Sequence, residues 1–279
     1  KKAKIIHTFH GHVLSGYFGP LKTKTFILIE RFLALFSTKI LTVSESVKNE
    51  LVALGICPEN KIEVIPLGFE LDKFLEITPS ERTALNIGIV GRLVPIKNHR
   101  LFLDTVSKII KDNPDMQFNF KIVGDGELRE ELQLYCRQLS IGEKIEFLGW
   151  QKDLAAIYSD LDIVALTSLN EGTPVSLIEA MASARVVVAT DVGGVRDLLG
   201  KKADYDGIEP SAGFQLLERG ILVKPQDAFS FSSALGLLSQ NKGLRQKMGL
   251  SSREYVRNRY TKERLIRDME GLYNKMLIS

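Results

Sequence analysis

The 279-residue chain has room for one large domain or two modest ones. A composition that is 44% hydrophobic and 25% charged is typical of a globular protein, and a net charge of +3 is too small to indicate nucleic-acid binding. The two cysteines, Cys57 and Cys136, form neither a CxxC pair nor a metal-ligand spacing, which argues against a disulfide framework and favours the cytoplasm.

Positive charge is concentrated in residues 1–48, which hold eight lysines and arginines against two glutamates. The most apolar window, Phe26–Phe36, is short and contains Glu30 and Arg31, so it predicts an amphipathic helix and not a membrane span. Two interpretations stay open for this region: a solvated basic face, or a surface for an anionic lipid or substrate. Its aromatic residues are expected in the core: Phe26, Phe32 and Phe36.

Short β-branched runs alternate with longer helical periods, which predicts a parallel sheet covered by helices. The predicted strands, in chain order, are Lys4–Thr8, Ile40–Val43, Ile62–Ile65, Asn86–Val90, Phe118–Val123, Lys144–Phe147, Ile163–Leu166, Val186–Thr190 and Gly220–Val223. The predicted helices are Glu45–Leu54, His99–Lys111, Glu127–Leu139, Leu154–Tyr158, Pro174–Ala182 and Ala228–Leu238, with two or three more between Leu244 and Leu277. Residues 200–218 show no regular pattern and are interpreted as an irregular insertion.

A stretch without periodicity around Pro79 and Ser80 predicts a linker. The predicted organisation is therefore a first domain at 1–70, a linker at 71–82, a second domain at 83–258 and a final helix at 259–279. The sequence leaves open whether this last helix crosses back to the first domain.

The most informative segment follows the predicted strand Ile163–Leu166. Thr173 is placed to cap the next helix and Pro174 suits its first turn. The start of that helix would then offer free N–H groups at the carboxyl edge of the sheet, where open α/β sheets bind ligands.

Two carboxylates accompany that helix start: Glu171 lies in the loop before it and Glu179 in its second turn. They could line one pocket at different heights; the plain alternative is that both are ordinary surface residues. Because the neighbours of Glu179 are apolar, we expect its carboxylate to have a polar partner.

A second candidate loop follows the strand that ends near Gly91 and offers Arg92 and Lys97 before the next helix. Two cations at a strand end suit a diphosphate and would stabilise its charge as a leaving group. Taken alone, the loop could equally carry two solvated surface cations.

These segments resemble family 4 glycosyltransferases of the GT-B fold, of the bacterial group 1 type. The two glutamates eight residues apart and the Gly91–Lys97 loop carry the resemblance, which runs from about Ile5 to Tyr273. Further stretches of the same kind are Leu41–Ser46, Val64–Gly68, Val123–Gly126 and Val188–Gly194. The resemblance implies an α/β chain with two Rossmann-like parallel-sheet domains facing a cleft, the first of them incomplete at its N-terminus.

The resemblance also implies roles for individual residues. Glu179 would hold the ribose hydroxyls of the donor, and Glu171 and His10 would be the catalytic residues that face the donor sugar. The diphosphate would be bound by Gly91, Arg92, Lys97, Gly172, Thr173, Pro174 and Val175. Three further residues would line the cleft: Gly193, Gly194 and Trp150.

The implied activity is transfer, with retention of configuration, of a sugar from a UDP- or GDP-sugar to a glycan or lipid-linked acceptor in polysaccharide biosynthesis. No metal and no other cofactor is expected, and the implied location is the cytoplasm or the inner face of the plasma membrane. Family members carry further residues before this start, so we expect weak transfer by the chain alone or a partner chain that supplies the missing part.

The sequence departs from the family pattern at three positions. Ala184 and Val186 stand where Gly and Pro are common, and Asp197 replaces a glutamate. An alanine at a helix end that needs positive φ would cost about 1 kcal/mol.

Asp160 and Asp162 form a DxD pattern, and His7, His10 and His12 could suggest zinc, but neither set offers a complete ligand shell on the predicted elements. A nicotinamide site is disfavoured because Val123–Gly126 lacks the third glycine of the fingerprint. Two functional alternatives remain: a GT-B sugar-nucleotide epimerase, and a binding module that holds a nucleotide sugar without turnover.

Overall fold

The computed structural model describes residues 3–11, 19–78, 82–205, 207–208 and 213–278. The chain divides into two compact units, each built on parallel strands with helices. The first unit comprises Lys1–Glu70, Glu171–Thr173 and Asn258–Ser279, and the second comprises Leu71–Asn170 and Pro174–Arg257. The predicted α/β class is confirmed.

The first unit contains a three-stranded parallel sheet in the order β1-β2-β3. Its strands are β1 (Ile6–Phe9), β2 (Lys39–Thr42) and β3 (Ile62–Val64), and its first two helices are α1 (Pro20–Phe36) and α2 (Glu45–Ala53). Ser44 caps α2, since its side chain accepts a hydrogen bond from the Val47 N–H at 3.2 Å.

The second unit contains a seven-stranded sheet in the order β6-β5-β4-β7-β8-β10-β9. Its strands are β4 (Leu85–Val90), β5 (Phe118–Val123), β6 (Ile145–Gly149), β7 (Ile163–Leu166), β8 (Val186–Thr190), β9 (Phe214–Leu217) and β10 (Gly220–Val223). Its helices are α3 (Asp72–Leu75), α4 (His99–Asp112), α5 (Arg129–Gln138), α6 (Leu154–Asp160), α7 (Val175–Ala182), α8 (Val195–Leu199), α9 (Ala228–Gln240) and α10 (Lys242–Arg259).

The last helix, α11 (Lys262–Ile278), belongs to the first unit. Leu272 and Met276 of α11 pack with Leu41 of β2, whereas Ile40 on the opposite face of β2 packs with Val47 of α2. Successive strand side chains point to opposite faces, so β2 is covered on both sides.

Helix α1 corrects one prediction. Its aromatic residues Phe26, Phe32 and Phe36 were expected in the core, but all three are exposed. The small first-unit sheet buries only a narrow face of this helix, represented by Ala34 and the partly buried Ile27. Within the described residues, none of the helices combines the length and the hydropathy that a bilayer crossing requires.

Residues 200–218 correct a second prediction, because they are not irregular throughout. Phe214–Leu217 is the strand β9, which pairs antiparallel with β10 through a turn at Glu218–Arg219. That turn lacks the Asn-Gly or Asp-Gly pair by which a hairpin is usually predicted from a sequence. The stretch expected as a linker, 71–82, contains α3, and Phe74 of α3 packs edge-on against Tyr158 at 5.7 Å.

Candidate functional site

The order of the second sheet creates a switch point between β4 and β7. The chain runs outward from β4 through β5 to β6, then returns to β7 and continues through β8 to β10. At such a point the loops that leave two neighbouring strands diverge, and the crevice at the carboxyl ends of the strands is the usual ligand site of this architecture.

Hydrogen bonds join the loops that leave β4 and β7. The Thr167 hydroxyl donates to the Lys97 carbonyl oxygen at 2.9 Å, and the Leu169 N–H donates to the Ile96 carbonyl oxygen at 2.8 Å. At the next strand, the Thr190 hydroxyl donates to the Ser168 carbonyl oxygen at 2.6 Å. The loops at the carboxyl ends of β4, β7 and β8 are therefore joined to one another by hydrogen bonds, and we call them the connected edge.

The loop after β4 rests on the loop after β5. The Gly91 N–H donates to the Val123 carbonyl oxygen at 2.9 Å, and the Leu93 N–H donates to the Asp125 carbonyl oxygen at 3.0 Å. Gly124 has φ +126°, and a Cβ there would lie 2.0 Å from the Gly91 carbonyl oxygen. This close approach of two backbones requires glycine.

Lys97 is directed back over the strand end. It closes a short 3₁₀ turn, Pro95–Lys97, after which Asn98 adopts a left-handed conformation with φ 48° and leads into α4. The Lys97 Cδ and Cε atoms lie 4.0 Å from where a Cβ on Gly91 would be. Lys97 is half-buried and Arg92 is exposed, so both cations lie at the carboxyl end of β4.

Beside Arg92 is a cleft of ≈ 440 Å³ that opens between the loops after β4, β5 and β6. Trp150 is 73% exposed, and the preceding Gly149 has φ 67°. The cleft is lined by Val90, Gly91, Arg92, Val123, Gly124, Asp125, Trp150, Gln151 and Leu154. Three predicted site residues, Gly91, Arg92 and Trp150, thus come together.

Helix α7 begins one residue later than predicted and without the predicted cap. Pro174 occupies the N-cap position with φ −72° and ψ 112°, and within the described part of the chain no side chain caps the helix. The prediction that Thr173 caps α7 is wrong, because the extended Pro174 places Thr173 one residue outside the helix. The Leu177 and Ile178 N–H groups bond to the Pro174 carbonyl oxygen at 3.2 and 3.3 Å. Val175 and Ser176 lie in the first turn, where backbone N–H groups have no partner within the helix.

Glu179 has the polar partner that its apolar surroundings predicted. The hydroxyl of the fully buried Tyr158 lies 3.1 Å from Glu179 Oε2 and 2.9 Å from the Ser176 carbonyl oxygen. Burial raises the pKa of the Glu179 carboxyl above its ordinary 4.5, and the Tyr158 hydrogen bond opposes that rise. Glu179 follows Val175 by four residues, which is about 6 Å along the axis of α7.

Glu171 and His10 are grouped in the first unit. A Cβ on Gly172 would lie 3.4 Å from Gly11 Cα and 3.7 Å from the His10 carbonyl oxygen, so the segment Glu171–Thr173 runs against the backbone that follows β1. Glu171 is 9% exposed and His10 is exposed.

The remaining predicted histidines and glycines have separate positions. His7 stacks on Phe9 with ring centroids 4.6 Å apart, and His12 lies outside the described residues. Gly193 follows the end of β8 with φ 47°, and Gly194 is the N-cap of α8. This pair lies on the same sheet edge as the loops after β4 and β7.

The two aspartates of the DxD pattern lie near the amino ends of the strands, away from the crevice. Asp162 immediately precedes β7, and its carboxylate accepts a hydrogen bond from the Asn86 N–H at 2.9 Å. Asp160 pairs with Arg82 at 3.4 Å and also with Lys121. Asp162 therefore links the start of β7 to β4, and Asp160 links the end of α6 to β5 and to the segment before β4.

Tyr158 is the residue of this site that sequence reasoning missed. It lies in the middle of α6, outside every motif, and its hydroxyl reaches Glu179 only because α6 packs near α7. An isolated tyrosine in an apolar helical pattern offers no signal that would distinguish this role from packing.

Comparison with known proteins gives matches along most of the chain. The family model described as "Glycosyl transferases group 1" matches residues 84–241, and the model described as "Glycosyltransferase Family 4" matches residues 1–73. An α-1,3-galactosyltransferase of Escherichia coli, which acts on GlcNAc-diphosphoundecaprenol with UDP-Gal, is 28% identical over 99% of this chain and 70% of its own length. A D-inositol 3-phosphate glycosyltransferase of Corynebacterium jeikeium is 31% identical over 67% of this chain, which spans 46% of that protein.

Solved structures share the fold. A glycosyltransferase from Rickettsia africae superposes with a TM-score of 0.79 at 22% identity, covering 99% of this chain and 71% of its own. Anabaena HepE, solved in complex with UDP, superposes with a TM-score of 0.79 at 17% identity, covering 96% of this chain and 72% of its own. The family match to more than half of the chain and the shared fold lead to one conclusion: the chain belongs to the group 1, family 4 glycosyltransferases of the GT-B fold.

Proposed function

We propose that this chain binds a UDP-sugar at the switch point between β4 and β7 and transfers the sugar, with retention of configuration and without a metal, to a lipid-linked or glycan acceptor. The observation that carries the proposal is the connected edge at the carboxyl ends of β4 and β7. There Arg92, Lys97 and the uncapped start of α7 supply positive charge, and Glu179 follows one helical turn later.

The donor diphosphate is proposed to lie among the Arg92 and Lys97 cations and the N–H groups at the start of α7. Charge-assisted hydrogen bonds and a helix N-terminus both favour phosphate oxygens. The backbone of Gly91 and of Gly172 to Val175 would complete this binding. Gly193 and Gly194 would line the same site, and the exposed indole of Trp150 would stack on the base.

The ribose is proposed to donate hydrogen bonds to the Glu179 carboxylate. Tyr158 holds that carboxylate through its hydroxyl at 3.1 Å, which fixes the side chain at low entropic cost.

The proposed transfer breaks the bond between the anomeric carbon and the β-phosphate oxygen and forms a bond from that carbon to an acceptor oxygen on the same face. The acceptor proton passes to the leaving phosphate, so no enzyme nucleophile is needed. Positive charge around the diphosphate stabilises the departing nucleoside diphosphate. Glu171 and His10 are proposed to orient the sugar and to support charge at the anomeric carbon.

The choice of UDP and of a lipid-linked acceptor is supported by the names of relatives. The E. coli relative uses UDP-Gal and an undecaprenol-linked acceptor, and HepE was solved with UDP. The exposed apolar residues of α1, among them Phe32 and Phe36, and the basic residues around them are compatible with a lipid-linked acceptor.

The direct test has two arms. A thermal-shift panel of UDP, GDP and ADP should show stabilisation by UDP, worth about 2.7 kcal/mol at a hundred times the dissociation constant. Incubation with UDP-galactose and GlcNAc-diphosphoundecaprenol in the presence of a chelator should give an α-linked product. UDP binding without any product would favour a binding module, release of an altered sugar without acceptor would indicate an epimerase, and failure of both arms would overturn the proposal.

A further inference from the structure

A second cavity, of ≈ 460 Å³, lies at the end of the second sheet where its parallel strands begin. Leu85 begins β4, Asp162 immediately precedes β7 and Arg185 immediately precedes β8, so this cavity faces the amino ends of the strands and not the crevice described above. It is lined by Arg82, Ala84, Leu85, Asp162, Ala184, Arg185, Lys242, Arg245, Gln246 and Leu250.

Arg185 is the unusual member of this cavity. Arg185 is 3% exposed, and its Nε and Nη2 atoms are buried without a hydrogen-bond partner among the residues that the structure describes. Burial lowers the pKa of Arg185 well below its ordinary value, to about 10. A buried cation with open donors is costly unless an anion meets it, because the lost hydration is not replaced.

The neighbouring cations are held in place by the protein itself. The Arg82 Nη2 donates to the Ser159 carbonyl oxygen at 2.9 Å, and the Arg245 Nη1 donates to the Ser239 carbonyl oxygen at 2.9 Å. Lys242 adds a fourth positive charge to the lining. These side chains are thus positioned before any ligand arrives.

Among the described residues, the lining includes one carboxylate, and it is already engaged. Asp162 Oδ2 accepts the Asn86 N–H at 2.9 Å, and Asp162 Oδ1 lies 3.7 Å from Arg82 Nη1. Asp160, outside the lining, also pairs with Arg82 at 3.4 Å. Among the described residues, the Nε and Nη2 donors of Arg185 remain without a partner.

We propose that this cavity binds a phosphate-bearing small molecule, with the Nε and Nη2 donors of Arg185 on its phosphate oxygens. The adjacent Nε–H and Nη2–H of a guanidinium match two oxygens of a phosphate. The volume lies within the range of small-molecule sites. The proposed ligand would contact the residue that joins α7 to β8, at the end of α7 away from the crevice.

The test must separate this cavity from the crevice, which should also attract phosphate. The background is therefore the Arg92→Gln/Lys97→Gln double variant, and the probe is inorganic phosphate, titrated by calorimetry at constant ionic strength. Phosphate should bind this background, and adding Arg185→Gln should weaken the binding about tenfold or more, as expected for loss of a charge-assisted contact. Acetate should bind more weakly than phosphate.

Two lysine variants on α10 test the proposal independently, in case the Arg185 variant does not fold. Lys242 lines the cavity and Lys247 does not, although both lie on the same helix. Lys242→Gln should weaken phosphate binding and Lys247→Gln should leave it unchanged. The proposal is overturned if the background binds no phosphate, if a folded Arg185→Gln protein binds as before, if the two lysine variants behave alike, or if acetate binds as well as phosphate.

Discussion

Glu179 and Tyr158 make the proposed donor site sensitive to pH. Burial raises the pKa of Glu179, and its hydrogen bond with Tyr158 limits that rise. Since ribose hydroxyls donate to the charged carboxylate, UDP affinity should be constant at neutral pH and should decrease as the pH falls through the raised pKa. Tyr158→Phe removes the opposing hydrogen bond, so the decrease should begin at a higher pH. Calorimetric titration of UDP across acidic pH checks this; identical profiles for the two proteins would contradict it.

Ala184 carries a backbone strain that the sequence predicted from its departure from glycine. It is the second residue after α7 and adopts φ 53°, in the left-handed region that is costly for a residue with a Cβ. Ala184→Gly should therefore raise the free energy of unfolding by about 0.5–1 kcal/mol, net of the greater freedom of glycine in the unfolded chain. Urea denaturation measures the change. A loss of stability would show that the strain is relieved in another way.

At the scale of elements, the loops after β4 and β5 depend on Gly124. A Cβ at this position would lie 2.0 Å from the Gly91 carbonyl oxygen, and φ +126° is unfavourable for alanine. Gly124→Ala should destabilise the protein by about 2 kcal/mol or more and weaken UDP binding, because the Gly91 loop must move. Gly236→Ala in α9 is the matched control: none of the described residues outside its own helix backbone comes within 4 Å of the added Cβ, and helix propensity should make the change neutral or stabilising. Equal effects in urea denaturation would contradict the close approach.

The sequence predicts an element well when the residues that determine the element are close together in the chain. The sequence predicted β7, β8 and the parallel α/β class correctly. The hydrophobic period and the β-branched side chains that indicate them lie within a few residues of one another. The edge strand β9 was missed because its pairing with β10 is set by a turn without a recognisable signal. The cap of α7 was misplaced because Pro174 is as acceptable at the N-cap as in the first turn, and only the backbone angles decide.

At the scale of the whole molecule, the proposed donor-site residues Arg92, Lys97 and Glu179 belong to the second unit, whereas Glu171 and His10 belong to the first. Arg92, Lys97 and Glu179 could be selected from sequence because their spacing follows the family pattern. The contact of Tyr158 with Glu179 and the cavity around Arg185 could not, since both join segments distant in the chain.

The central claim is that Arg92, Lys97 and Glu179 form one nucleotide site, and UDP affinity measured by calorimetry tests it most directly. Glu179→Ala and Arg92→Gln should each weaken UDP binding about ten- to a hundredfold, the value of a charge-assisted hydrogen bond. The exposed Glu254→Gln and Arg137→Gln, which change the same charges elsewhere, should have no effect. Unchanged UDP affinity in folded Glu179→Ala and Arg92→Gln proteins would contradict the account.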